Sequence, residues 1–195
     1  VARQAAQRVR NKLSLAWIED AGRRIQQAVL DLPEYRDARV VGLYQARPRE
    51  VATDLLIQDC RAKQRTVCLP AYQKKQACYA MARWETGAAL RPGLFGIAEP
   101  AEPVWMPLPE IDLMIVTCLA FDDAGWRLGH GGGHFDRLLS EHPGVKMCLA
   151  FDCQHLAAVP CEPHDIPVHL VVTEQRVYRA PGRLAYADPD AWKHR

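Results

Sequence analysis

A chain of 195 residues, 49% hydrophobic and 25% charged, has the composition of a globular domain and the length to bury one sizeable core. Its formal net charge of +2 does not suggest the broad basic face of a general nucleic-acid binder, although Arg3, Arg8, Arg10 and Lys12 make a local basic start suited to an anion. No apolar run approaches the roughly 18 residues of a membrane span, and no secretory signal is visible.

Trp17, Ile18, Ala21, Ile25, Ala28, Val29 and Leu32 recur at helical spacing, which predicts an amphipathic helix over 17–32 ended by Pro33. "ARVVGLYQA" (38–46) reads as a buried strand, and Pro48 then suits the first turn of a helix running to about Lys63, with Glu50 near its start. "RTVCLP" predicts a strand stopped at Pro70, and "ACYAMARW" (77–84) another. The proline-rich segment 90–110 reads as an extended, irregular connection across the surface. "DLMIVTCLAF" (112–121) is the longest buried-strand candidate, followed by a turn at "DDAG" and the glycine-rich stretch "GWRLGHGGGHFDR".

A helix is expected directly after those glycines, in "HFDRLLSEH", then strands at 145–151 and 168–174, with a peripheral tail after Arg179. Strands alternating with helices predict a single α/β domain over 1–195, a three-layer, Rossmann-like sandwich with a central, mostly parallel sheet. Seven cysteines without a CxxC pair fit reduced thiols in a cytoplasmic protein; in "TVCLP" and "KMCLAF" they read as small hydrophobes.

The glycine-rich stretch admits three readings. His130 and His134 would share a zinc ion only on a helix, and three intervening glycines, each costing about 1 kcal/mol there, oppose that. An anion cradle needs backbone N–H groups freed by glycine, a helix N-terminus and a fixed positive charge, which Gly131 to Gly133, the helix after them and Arg127 would supply. Asp136, in the first helical turn, could hold Mg²⁺ beside a phosphate or simply favour the helix dipole. A plain turn is the third reading. Neither GxGxxG nor the P-loop lysine is present, so the cradle carries no generic nucleotide motif.

"AFDDAGWRLGHGGGHFDRLL" resembles the signature of the 5-formyltetrahydrofolate cyclo-ligase (5,10-methenyltetrahydrofolate synthetase) family, a Phe–Asp pair, a turn, and then R-L-G-x-G-x-G-x-[YF]-D. "LYQARPREVATDLL", "VCLP", "LFGIAEP", "AFDCQ", "VPCEPHDIP" and "VVTE" follow the family's pattern in order over most of the chain. The resemblance implies closure of 5-formyltetrahydrofolate to 5,10-methenyltetrahydrofolate with ATP and Mg²⁺, a compact α/β fold, small-molecule partners only, and a monomer or weak homodimer.

Carried over by position, the resemblance assigns Arg3, Arg127, Leu128, Gly129, His130, Gly131, Gly132, Gly133, His134 and Phe135 to ATP. It assigns Gln45, Glu50 and His134 to the folate, and Asp136 and Asp165 to the metal. Arg3 stands eleven residues before Ser14, as the family's N-terminal ATP-binding arginine stands before its own helix start; the lysine usual four residues earlier would precede Val1. Trp84 and Trp105 are further candidates for a folate wall. His134 and Phe135 replace tyrosines common in the family, which also admits a non-catalytic folate- or nucleotide-binding paralogue.

Overall fold

The computed structural model describes residues 2–85 and 87–182. It opens with α1 (Ala2–Asn11), α2 (Leu15–Asp31) and the single turn α3 (Pro33–Arg36), which lead into β1 (Val40–Gly42). Next come α4 (Asp54–Ala62), β2 (Thr66–Gln73) and β3 (Cys78–Trp84), then β4 (Leu90–Pro92), β5 (Ala98–Pro100) and β6 (Val104–Trp105). The remainder comprises β7 (Leu113–Thr117), β8 (Ala120–Phe121), β9 (Arg127–Leu128), α5 (His134–Glu141), β10 (Val145–Leu149), β11 (Leu170–Val172) and β12 (Val177–Arg179).

Eight strands form the main sheet in the order β12-β11-β10-β7-β1-β2-β3-β6. The five central strands, β11 to β2, run parallel, and β12, β3 and β6 add antiparallel edges. Alternation along β7 sorts the core. Leu113 and Ile115 face Ile25 and Val29 of α2 and Leu56 of α4, whereas Met114 and Val116 face Leu138 and Leu139 of α5. Both faces are thus covered, the three-layer sandwich expected for apolar parallel strands.

Side chains lock the layers. Ser14 caps α2 by accepting from Trp17 N (3.2 Å). The buried Gln26 accepts from Leu55 N (2.9 Å), fixing the start of α4 against α2. Asp112 accepts from the N–H groups of Arg39 and Val40 (2.8 Å each), setting the entry of β1 beside β7.

Several local expectations need correction. The helix expected from Pro48 begins only at Asp54, because residues 47–50 form a tight turn: Glu50 N donates to Arg47 O (3.0 Å) and Arg49 has φ 69°. A left-handed residue cannot propagate a right-handed helix. Glu50 is therefore a loop residue and not a first-turn acid.

The strand expected to stop at Pro70 runs on to Gln73. The β1–β2 ladder ends at Cys68, so no neighbour on that side requires an N–H from Pro70. Residues 90–110 are less irregular than expected, since β4 and β5 pair and β6 extends the main sheet. The first ten described residues, read only as a basic start, form α1, and β12 ends the sheet beyond β11. The expected peripheral tail lies, beyond Gly182, outside the described residues.

Candidate active site

The sheet order reverses around β1. From β1 the chain moves to β2 on one side, and from β7 it continues to β10 and β11 on the other. In an open α/β sheet, ligands bind in the crevice beyond the carboxyl ends of the strands at such a switch point. There the loop after β1 meets the glycine loop, and they border a cavity of about 940 Å³. Arg3, Gln45, Glu50, all residues from 127 to 136 and Asp165 line it, so every residue that the resemblance assigns to ATP, folate or metal reaches one space.

The glycine loop is built from behind by Asp122, which is almost fully buried. Its Oδ1 accepts from Ala124 N and Trp126 N (3.0 Å each), and its Oδ2 from Val159 N (2.8 Å). Gly125 completes this turn at φ 81°, where a Cβ would stand 2.2 Å from Val168 O; only glycine fits. β9 then delivers Arg127, whose side chain is 2% exposed, into the cavity wall.

Arg127 Nη2 lies 2.7 Å from Asp136 Oδ1, while Arg127 Nε is buried without a hydrogen-bond partner. Gly131 (φ 99°) and Gly133 (φ 61°) take left-handed conformations, and Gly133 caps α5. Backbone N–H groups at the start of α5 have no intrahelical acceptor, and the positive end of the helix dipole there favours an anion. Arg3, reaching across from α1, donates Nε–H to Gly129 O (3.2 Å) and so stands against the same loop. A zinc site is not formed: among the described residues no group of three or more His, Cys, Asp or Glu could hold a metal ion.

His134 folds over Gly132, where a Cβ would come within 2.7 Å of its ring, and sits edge-on to Tyr79 with centroids 4.9 Å apart. Burial, with the nearby Arg137 charge, lowers its pKa from the ordinary value of 6.5, so the imidazole is neutral at pH 7. His130 points differently. Its Nε2 lies 3.3 Å from Glu50 Oε1, joining the glycine loop to the loop after β1.

Glu50 is the buried acid of the cavity, its side chain 3% exposed. Oε2 accepts from Arg47 N (2.9 Å), and Arg10 Nη1 lies 3.7 Å from Oε1. Beside it, Tyr44 donates its hydroxyl to Val51 O (2.7 Å) and Thr53 donates to Tyr44 O (2.9 Å). These bonds hold the loop in a fixed shape although it has no regular structure.

Asp165 lies in the loop across the mouth. Its Oδ2 accepts from Glu162 N (2.7 Å), and Ile166 N next to it donates to Asp136 Oδ1 (3.2 Å), which draws the two carboxylate-bearing segments together. Two carboxylates without a full protein cage suit Mg²⁺, which usually completes its shell with water and phosphate oxygens. Trp84 and Trp105 do not border the cavity. Trp84 packs against the core on the α2 face, and Trp105 is exposed on the edge strand β6.

Sequence reasoning missed Arg10 as a partner of Glu50 and Tyr79 as the support of His134. Arg10 had a signal. It follows Arg3 by about two helical turns, so a helix through "ARQAAQRVRN" puts both on one face.

A model of the 5-formyltetrahydrofolate cyclo-ligase family matches residues 2–174. The chain is 31% identical over 172 residues to the 5-formyltetrahydrofolate cyclo-ligase of Haemophilus influenzae, covering 85% of this chain and 92% of that one. With the Escherichia coli (strain K12) protein of the same name it shares 29% over 166 residues, 82% and 91% of the two chains. The NMR structure of Aquifex aeolicus 5,10-methenyltetrahydrofolate synthetase superposes with a TM-score of 0.83 at 30% identity, covering 94% of this chain and 93% of that one. The chain belongs to the 5-formyltetrahydrofolate cyclo-ligase family.

Proposed function

We propose that this protein converts 5-formyltetrahydrofolate to 5,10-methenyltetrahydrofolate, consuming ATP with Mg²⁺ and releasing ADP and phosphate. The observation that carries the reading is the division of one cavity into two chemistries. The glycine loop and α1 offer Arg3, Arg127 and the α5 N-terminus to phosphate, and the loop after β1 offers the buried carboxylate of Glu50.

The reaction has one chemical difficulty. The oxygen of a formamide is a poor leaving group, so attack of the folate N10 on the formyl carbon stalls. Transfer of the γ-phosphoryl group to that oxygen lets it leave as phosphate once N10, losing its proton, has bonded to the carbon. The protein's task is positioning and charge neutralisation.

Arg127 is shaped for the phosphate side: its forked guanidinium already holds one carboxylate oxygen and keeps a buried N–H without an acceptor. The N–H groups at the start of α5 and Arg3 stand on the same loop. Asp136 and Asp165 would hold Mg²⁺, which supplies positive charge against the phosphate oxygens when bound. Glu50 offers a fixed acceptor to the N–H groups of a pterin, and Gln45 lies in the same wall. His134, neutral and at the helix start, lines the same cavity as an uncharged hydrogen-bonding group.

Substrate carrying oxygen-18 in its formyl group tests the reading. The expected result is methenyl product accompanied by phosphate that contains the label. Phosphate free of label would exclude transfer to the formyl oxygen, and tight folate binding without product would make the chain a binding protein.

A further inference from the structure

Arg10 is a buried charged group that the proposed chemistry leaves unused. It lies on α1 and is 5% exposed. Its Nη1 is 3.7 Å from Glu50 Oε1, beyond hydrogen-bond reach, and neither Nε nor Nη1 has a partner. A buried guanidinium with unsatisfied donors is costly, so its retention beside a single carboxylate needs a reason.

The geometry of α1 supplies one. Arg3 and Arg10, about two turns apart, lie on the face of the helix turned towards the cavity loops. Arg3 contacts the glycine loop at Gly129, and Arg10 stands beside Glu50 in the loop after β1. Ala6, between them, is buried with Leu119, Ala120 and Leu128, which seats the helix on the strand pair that delivers Arg127. α1 thus touches both halves of the site through two arginines on one rigid element.

We propose that Arg10 is a positioning residue for Glu50: held on α1, it fixes the carboxylate that receives the folate. The proposal rests on the reading of Glu50 as the folate acceptor. Arg10 is not among the residues bordering the cavity, so its effect on substrate passes through Glu50. Glu50 is restrained from three sides, by Arg47 N on Oε2 and by His130 and Arg10 on Oε1. Of these, Arg10 alone is a permanent charge anchored on a helix.

Steady-state kinetics of Arg10→Met and Arg10→Lys, beside Glu50→Gln, test this. Arg10→Met is expected to raise the KM for 5-formyltetrahydrofolate about tenfold while the KM for ATP changes by less than about twofold. Arg10→Lys keeps the charge without the fork and is expected to recover part of the loss. Far-UV circular dichroism and melting temperature establish that each variant is folded. If Arg10→Met does not fold, Arg10→Lys is read in the same way: a raised folate KM with an unmoved ATP KM supports the proposal.

An unchanged folate KM in folded Arg10 variants, with Glu50→Gln raising it, overturns the role of Arg10 and leaves Glu50 in place. A parallel rise of both KM values also overturns it, since that is the mark of general damage to α1. If Glu50→Gln itself leaves the folate KM unmoved, the folate assignment of Glu50 falls and the proposal falls with it.

Discussion

His142 shows how one buried side chain ties stability to pH. Its Nδ1 and Nε2 face Leu108 O (3.3 Å) and Val145 O (3.2 Å). Burial outweighs these acceptors and the nearby Asp112 charge and, with Lys146 on the other side, lowers the pKa from 6.5. The unfolded chain therefore takes up this proton first as pH falls. The stabilisation is complete above about pH 6.5 and is lost progressively below it, towards the folded-state pKa. His134 shifts the same way and adds to the trend. The urea midpoint is expected to fall between pH 7.5 and 5.5, and less steeply in His142→Gln. Identical slopes would remove His142 from the account.

Single residues also mark where the sequence could be read and where it could not. Asp136 is in the first turn of α5, as the sequence indicates, because glycines followed by an apolar stripe set that boundary locally. Glu50 reaches the cavity from a loop and not from the helix start that the sequence suggests. Pro48 permits a helix start, and only the left-handed Arg49, whose Nη1 is tied to Leu13 O (2.6 Å), turns the segment into a loop. That tie joins residues distant in the chain, so local pattern does not contain it.

Among the elements, the loop that carries Arg127 depends on Asp122 as well as on Gly125. Three N–H groups converge on one buried carboxylate, which makes the turn a small rigid unit. Asp122→Ala is expected to cost on the order of 2–4 kcal/mol in denaturant unfolding, because the N–H groups lose their acceptor. Its KM for ATP is also expected to rise, since Arg127 follows directly. Unchanged stability would show that the turn is held by other contacts. The elements that escaped the sequence reading share a cause. In α1 the apolar residues Ala2, Ala5, Ala6 and Val9 recur at helical spacing but are mostly alanines, a faint signal, and β6 and β12 are short edge strands whose pairing comes from neighbours rather than from their own pattern.

For the whole molecule, the α/β class was legible because apolar runs alternate with amphipathic helices, as Leu113 to Thr117 and Leu15 to Asp31 show. Strand order was not. Nothing local to Val40–Gly42 says that this strand lies between β2 and β7, yet that position brings Glu50 to the glycine loop. The resemblance to a family, residue by residue, brought Arg3, Glu50, Asp136 and Asp165 together before any topology was known. The fold places all four on one cavity.

The most direct measurement follows methenyl absorbance and released phosphate together in protein supplied with 5-formyltetrahydrofolate, ATP and Mg²⁺. The expected result is one phosphate per methenyl product, no product without ATP, and a fall in kcat of about 10²–10³-fold in folded Asp136→Ala. Folded protein that binds the folate yet forms no product, or that forms it without ATP, would rule out an ATP-dependent cyclo-ligase.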